Sequence, residues 1–191
     1  SARVDRPRSE RGVLRVGALR LPTPTPSYLR PSLAAGLVRK DEHGERVPEL
    51  AQEAPSVANS MLEILSDGSF RVHWRLRRGL KWSDGHTLTS DDFRFALEVS
   101  PNPHILRIET SDDRTLDLTY DSARAEALDG FPPLPRHALR SVARGDGGFD
   151  AVREAQRSRP LPGTGPYRVT EYVANDHLVA VANPNFVGSP P

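Results

Sequence analysis

At 191 residues the chain can bury one substantial core but is short for two independent ones. Its 37% hydrophobic and 27% charged content is that of an ordinary globular protein, and no apolar run approaches the roughly 18 residues that cross a bilayer. The 26 basic and 25 acidic residues are spread evenly, so there is no global cationic field for nucleic acid, and the lack of cysteine excludes disulfides, thiol nucleophiles and Cys-ligated zinc.

Residues 1–11 read as a flexible polar segment without the apolar centre of a signal peptide, which fits either a cytoplasmic protein or a mature processed form. Residues 13–19 read as the first strand, followed by extended backbone through Pro22, Pro24 and Pro26. Residues 31–38 have a short helical pattern, and residues 39–44 read as a hairpin turn closing at Gly44. The pattern is clearest from Met61 to Trp82. Phe70, Val72, Trp74 and Leu76 alternate with Arg71, His73, Arg75 and Arg77 after the turn Ser66-Asp67-Gly68-Ser69, predicting an antiparallel hairpin with one buried face.

Thr89 with Asp92 resembles a capping box, and Phe93, Ala96 and Leu97 give helical spacing as far as Pro101. Residues 105–109 and 115–120 predict a second strand pair around a turn at 111–114. The Pro-rich stretch 131–135 leads to helical segments near 137–142 and 149–157, separated by a Gly/Asp loop expected to be flexible. Gly163-Thr164-Gly165-Pro166 lets the backbone approach a neighbour closely before a last strand pair, 167–173 and 178–182, around Asn175-Asp176. Strand pairs with few helices predict an α+β fold, mainly antiparallel.

In order and spacing, Gly36-Leu37, Val47-Pro48-Glu49-Leu50-Ala51, Gly79-Leu80-Lys81-Trp82-Ser83-Asp84-Gly85 and Leu88-Thr89-Ser90-Asp91-Asp92 resemble the bacterial extracellular solute-binding proteins of family 5. Leu134-Pro135-Arg136-His137, Gly163-Thr164-Gly165-Pro166-Tyr167 and Asn183-Pro184-Asn185-Phe186 continue the likeness, although Val187 stands where the family often has Trp. The resemblance implies the N-terminal lobe of a type II periplasmic-binding-protein architecture over residues 12–183. Residues 184–191 would then lead toward a second lobe outside this sequence. It also implies a substrate-binding component of an ABC importer that takes oligopeptides or similar small polar solutes. Such a protein works with a membrane permease and is a periplasmic or extracellular monomer, with lipid anchoring as an option. The stretch 21–32 is shorter and more Pro-rich here than in the family, and by position Thr23, Thr25, Ser27 and Tyr28 are the expected ligand contacts.

The other chemical signals favour structural roles. His43, His73, His86, His104, His137 and His177 show no metal-ligand spacing, so no metal or cofactor is expected. Asp91-Asp92 and Asp112-Asp113 could serve acid–base chemistry, but they suit a helix start and a turn better. Arg75, Arg77, Arg78 and Lys81 read as a solvated strand edge, without the interleaved aromatics of a nucleic-acid site. Gly145-Asp146-Gly147-Gly148 lacks the strand and Lys-Ser/Thr of a phosphate loop. No catalytic set is recognisable, so the expectation is a binding module and not an enzyme. The alternative is a scaffold or sensory domain of a regulator, or a truncated domain that binds nothing alone.

Overall fold

Alternation in residues 70–75 builds the largest sheet. The computed structural model describes residues 13–17 and 29–188 of the chain. The expected flexible segment 1–11, the end of the first predicted strand and the Pro-rich run through residue 28 lie outside the described residues. Strand β5 (Phe70–Arg75) buries Phe70, Val72 and Trp74 and turns Arg71, His73 and Arg75 outward. It pairs with β4 (Leu62–Ile64) on one side and β7 (Thr115–Tyr120) on the other, and β6 (Ile105–Asp112) completes the order β4-β5-β7-β6. Register places Val72 opposite Leu118 and Trp74 opposite Leu116, so one face is continuous apolar surface. On the other face His73 meets Asp117 at 2.8 Å.

Two smaller antiparallel sheets accompany it. The hairpin of β2 (Val38–Lys40) and β3 (Arg46–Pro48) turns at Gly44, whose φ of +80° is one that a side chain would resist. The third sheet has the order β1-β9-β8, joining β1 (Val13–Gly17), β8 (Tyr167–Val173) and β9 (His177–Ala182). The expected α+β, mainly antiparallel architecture is therefore the one found, with helices α1 (Arg30–Leu33), α2 (Ser90–Val99), α3 (Arg136–Ala143) and α4 (Gly148–Ser158) and a 3-10 turn at Ala125–Leu128.

Two boundaries differ from the sequence reading. The helix expected over 31–38 stops at Leu33, because the backbone from Gly36 onward is engaged across to the next segment. The Gly36 carbonyl accepts Leu50 N–H, the Leu37 carbonyl accepts those of Glu49 and Ala51, and Val38 pairs with Pro48. The turn expected at 111–114 shrinks to Asp113-Arg114, because a register shift between Glu109 and Asp112 lets β6 run on until Asp112 faces Thr115.

Helix α2 carries two apolar stripes. Phe93 and Leu97 face the main core with Trp74, Trp82 and Leu116, while Phe95 and Val99 pack with Leu139 of α3 and Val152 of α4. A third cluster, Leu29, Leu33, Leu178 and Ala180, holds α1 against the β8–β9 sheet. Among the described residues no helix is long and apolar enough to cross a membrane.

Candidate functional site

Five of the segments that carry the family likeness, within residues 79–85, 88–92, 134–137, 163–167 and 183–186, converge on one buried junction. Residues 80–88 fold back on themselves: Leu88 N–H donates to the Leu80 carbonyl (3.0 Å) and Trp82 N–H to that of His86 (2.8 Å). The Trp82 ring is 2% exposed, and its indole N–H donates to Asp92 Oδ2 at 3.1 Å. The same carboxylate accepts Thr89 N–H (3.0 Å), closing the expected helix start, and Arg136 N–H (3.1 Å), which docks the first turn of α3. Burial raises the Asp92 pKa, and the hydrogen bonds it accepts offset this only in part.

Gly163-Thr164-Gly165 closes the junction from the far end of the sequence. A Cβ on Gly163 would lie 2.3 Å from the Leu33 carbonyl oxygen, and one on Gly165 would lie 2.5 Å from the Leu33 carbonyl carbon. The close approach expected of this segment is thus to the backbone at the end of α1. Thr164 Oγ1 accepts Ala35 N–H (2.8 Å) and donates to the Ala35 carbonyl (3.1 Å), while Asn183 Nδ2 donates to the Gly165 carbonyl (2.8 Å) and Asn185 Nδ2 to that of Trp82 (2.9 Å). These motifs act first as scaffold.

Beside the junction lies a groove of about 720 Å³. Residues 131–135, residues 161–164, the face of α4 and the start of β8 form its walls, and the end of α1 contributes Leu33 and Ala34. Its lining is apolar at Phe131, Leu161 and Val169 and basic at Arg153, Arg157 and Arg168, with no carboxylate among the described lining residues. Arg153 is partly engaged by the Val99 carbonyl and Asp150, and Arg157 lies 3.9 Å from Glu154. The surface therefore suits an amphipathic ligand bearing negative charge. A depression of similar volume between α2 and β6, lined by Arg94, Glu98, Glu109 and Asp117, is shallower and mixed in charge.

The fold also assembles a group that spacing alone conceals. Asp84 Oδ2 lies 2.8 Å from His137 Nε2 and 3.3 Å from His86 Nδ1, and the two imidazoles stack with centroids 4.1 Å apart. Partial burial works to raise the Asp84 pKa, but bonds from the His137 ring and the His86 N–H outweigh it and hold the carboxyl below its ordinary value. The sequence reading found no metal-ligating pattern because Asp84 and His137 are 53 residues apart; the i, i+2 pair Asp84 and His86 across the Gly85 turn was the available signal.

Of the expected ligand contacts, Thr23, Thr25, Ser27 and Tyr28 all lie outside the described residues. The paired carboxylates are not brought together for acid–base chemistry. Asp92 is the buried acceptor just described, Asp91 faces Arg136 at 3.3 Å, and Asp112 accepts Arg114 N–H (2.7 Å) and the Thr115 hydroxyl (3.1 Å). Within the basic edge, Arg77 departs from the solvated-face reading: it donates to the carbonyls of Ala51 (3.1 Å) and Pro48 (3.1 Å), pinning β3 and its continuation to the main sheet. Gly145-Asp146-Gly147-Gly148 joins α3 to α4, with Gly148 at φ +50°.

The antiparallel α+β unit, with a groove of basic and apolar lining beside its junction, fits the architecture of a solute-binding class of protein. Residues 45–191 match the bacterial extracellular solute-binding proteins, family 5, and the chain belongs to that family. It is 29% identical over 125 residues to a putative ABC transporter peptide-binding protein of Brucella ovis, covering 58% of this chain and 23% of that one. It is also 26% identical over 187 residues to the probable deoxycholate-binding periplasmic protein YgiS of Escherichia coli, covering 81% and 32%. The oligopeptide-binding protein of Thermus thermophilus, solved with a pentapeptide, superposes with a TM-score of 0.67 at 21% identity over 90% of this chain and 35% of that one. The chain thus spans about a quarter to a third of the length of these relatives, which are solute-binding proteins and not enzymes by name.

Proposed function

We propose that residues 12–183 form one lobe of the substrate-binding component of an ABC importer, with a second lobe closing the ligand cleft. The ligand in this reading is an oligopeptide or a similarly small polar solute, delivered to a membrane permease on the periplasmic or outer side by a monomeric protein. Membership of family 5 over residues 45–191 is the observation that carries this reading. The relatives' names point the same way, pairing peptide binding in the Brucella protein with deoxycholate binding in the Escherichia coli one. The three arginines and apolar lining of the groove favour ligands that combine a carboxylate with apolar surface, a description that fits both.

Backbone hydrogen bonds and hinge closure, with no bond making, would hold such a ligand. The test is calorimetry of the full-length protein against di- to hexapeptides, with deoxycholate as a parallel arm. Micromolar or tighter peptide binding, about −8 kcal/mol or better, supports the assignment. Tight binding of a bile acid with no response to any peptide removes the peptide assignment and leaves the importer role standing, whereas binding of neither removes both ligand assignments.

A further inference from the structure

We propose that Asp84, His86 and His137 form a binding site for a late first-row divalent cation, with zinc the best match to the ligand set. Two imidazoles and a carboxylate make a donor set that zinc accepts in tetrahedral geometry, leaving one position for water or another ligand. Bonds of about 2.0–2.2 Å in that geometry place neighbouring donor atoms about 3.3–3.6 Å apart. The structure has Asp84 Oδ2 at 2.8 Å and 3.3 Å from the two ring nitrogens, with all three donor atoms within 4.8 Å of one another. To bind the cation the two stacked rings must splay so that both nitrogens aim at one point.

Both rings present a nitrogen to the same carboxylate oxygen, and they stack within 14° of parallel. Three donor atoms from two distant segments of the chain are thereby gathered at one point, which a single histidine–carboxylate pair does not do.

The surroundings also orient the donors. His86 N–H donates to Asp84 Oδ1 at 3.2 Å, fixing the carboxylate so that Oδ2 faces the rings, and Gly85 at φ +92° permits the turn that puts the two side chains on one side. His137 leans on Trp82 with ring centroids 6.0 Å apart, and Trp82 lines the groove. A bound cation would therefore tie the turn at 83–86 to the first turn of α3 beside the groove wall. The site is independent of which solute the groove takes.

The experiment uses the full-length protein freed of metal with EDTA and titrated with Zn²⁺ by calorimetry, alongside His86→Ala, Asp84→Asn and His104→Ala. His86 is largely exposed, so its replacement leaves the fold intact, and His104, paired with Asp121 at 2.9 Å, is the control for an ordinary surface pair. His86→Ala and Asp84→Asn should each weaken zinc binding at least about 10-fold, the lower end of what loss of an outer-shell partner costs, and His104→Ala should leave it unchanged. Ni²⁺ should broaden the ring signals of His86 and His137 in NMR spectra before those of His104. Zinc affinity that His86→Ala does not alter, or broadening that begins at other histidines, overturns the proposal.

Discussion

Replacing Asp92 with alanine tests the junction most directly, because one carboxylate serves three donors from three parts of the chain. The substitution strands the Trp82 indole N–H, in a ring only 2% exposed, together with the backbone N–H groups of Thr89 and Arg136. An orphaned buried donor costs about 1–3 kcal/mol, and each backbone donor, nearer to water, about 1 kcal/mol. Relief of carboxylate burial, which raises the Asp92 pKa, offsets part of this, so the net loss should be about 3 kcal/mol. Asp92→Asn keeps one acceptor oxygen and should cost about half as much. Urea titration followed by circular dichroism measures both, and about 3 kcal/mol corresponds to roughly 6–12 °C in Tm for a chain of this size. A double-mutant cycle with Trp82→Phe should give a coupling near 1 kcal/mol. A loss under about 1 kcal/mol for Asp92→Ala, or no coupling to Trp82, would show that the carboxylate does not organise the junction.

Gly165→Ala should destabilise by about 2 kcal/mol or more, since the new Cβ meets the backbone of Leu33 and Ala34 at 2.5–2.6 Å and backbone cannot step aside cheaply; an unchanged denaturation midpoint would contradict that contact. Trp74→Ala should cost about 3–5 kcal/mol, as befits a large side chain at 1% exposure. Trp74→Phe should cost far less, because the Trp74 indole N–H finds no acceptor among the described residues; equal losses in the two variants would mean the ring's polar end is satisfied after all. Asp129 sits beside Arg46 Nε at 2.6 Å and Lys40 Nζ at 3.1 Å. Its partial burial favours a higher pKa, but these partners hold it below 3.8. The pair's contribution, about 0.5 kcal/mol for so exposed a bridge, is therefore fully present above pH 3.8 and lost as pH falls through the depressed folded value. Asp129→Asn should accordingly be less stable than the parent at neutral pH and equal to it in strong acid, and a gap that persists in acid would assign the loss to packing.

Regular patterning made much of this fold readable in advance. Period two in Phe70, Val72 and Trp74 announces a half-buried strand whatever its partner, because side-chain alternation is a local property of extended backbone. The Thr89 and Asp92 helix start was legible for the same reason, and the glycines of 163–165 advertised a close approach without naming Leu33 as the neighbour. What could not be read depends on where distant segments land. Asp92 looked like a helix-start residue, and nothing local indicated that Trp82 and Arg136 would share its carboxylate. His86 and His137 looked unrelated because the chain between them, not the residues themselves, brings the rings together. α1 is shorter than its composition predicts because composition allows helix to residue 38 and only cross-strand bonding at Gly36 and Leu37 ends it.

The pairing of β1 with β9 sets an order on how the chain can be made. Val13 pairs with Val181 and Gly17 with His177, so β1 has no partner in its sheet until residues 177–181 have been made. Strands β4 to β7 need nothing beyond residue 120, and they can bury Trp74 and Leu116 while synthesis continues. During that interval β1 is without a strand on either side, the state in which extended segments associate wrongly. Late closure by β9 therefore leaves β1 dependent on a chaperone until residues 177–182 have been made, and slow passage through codons between the two strands should lower soluble yield more than an equal delay after codon 182.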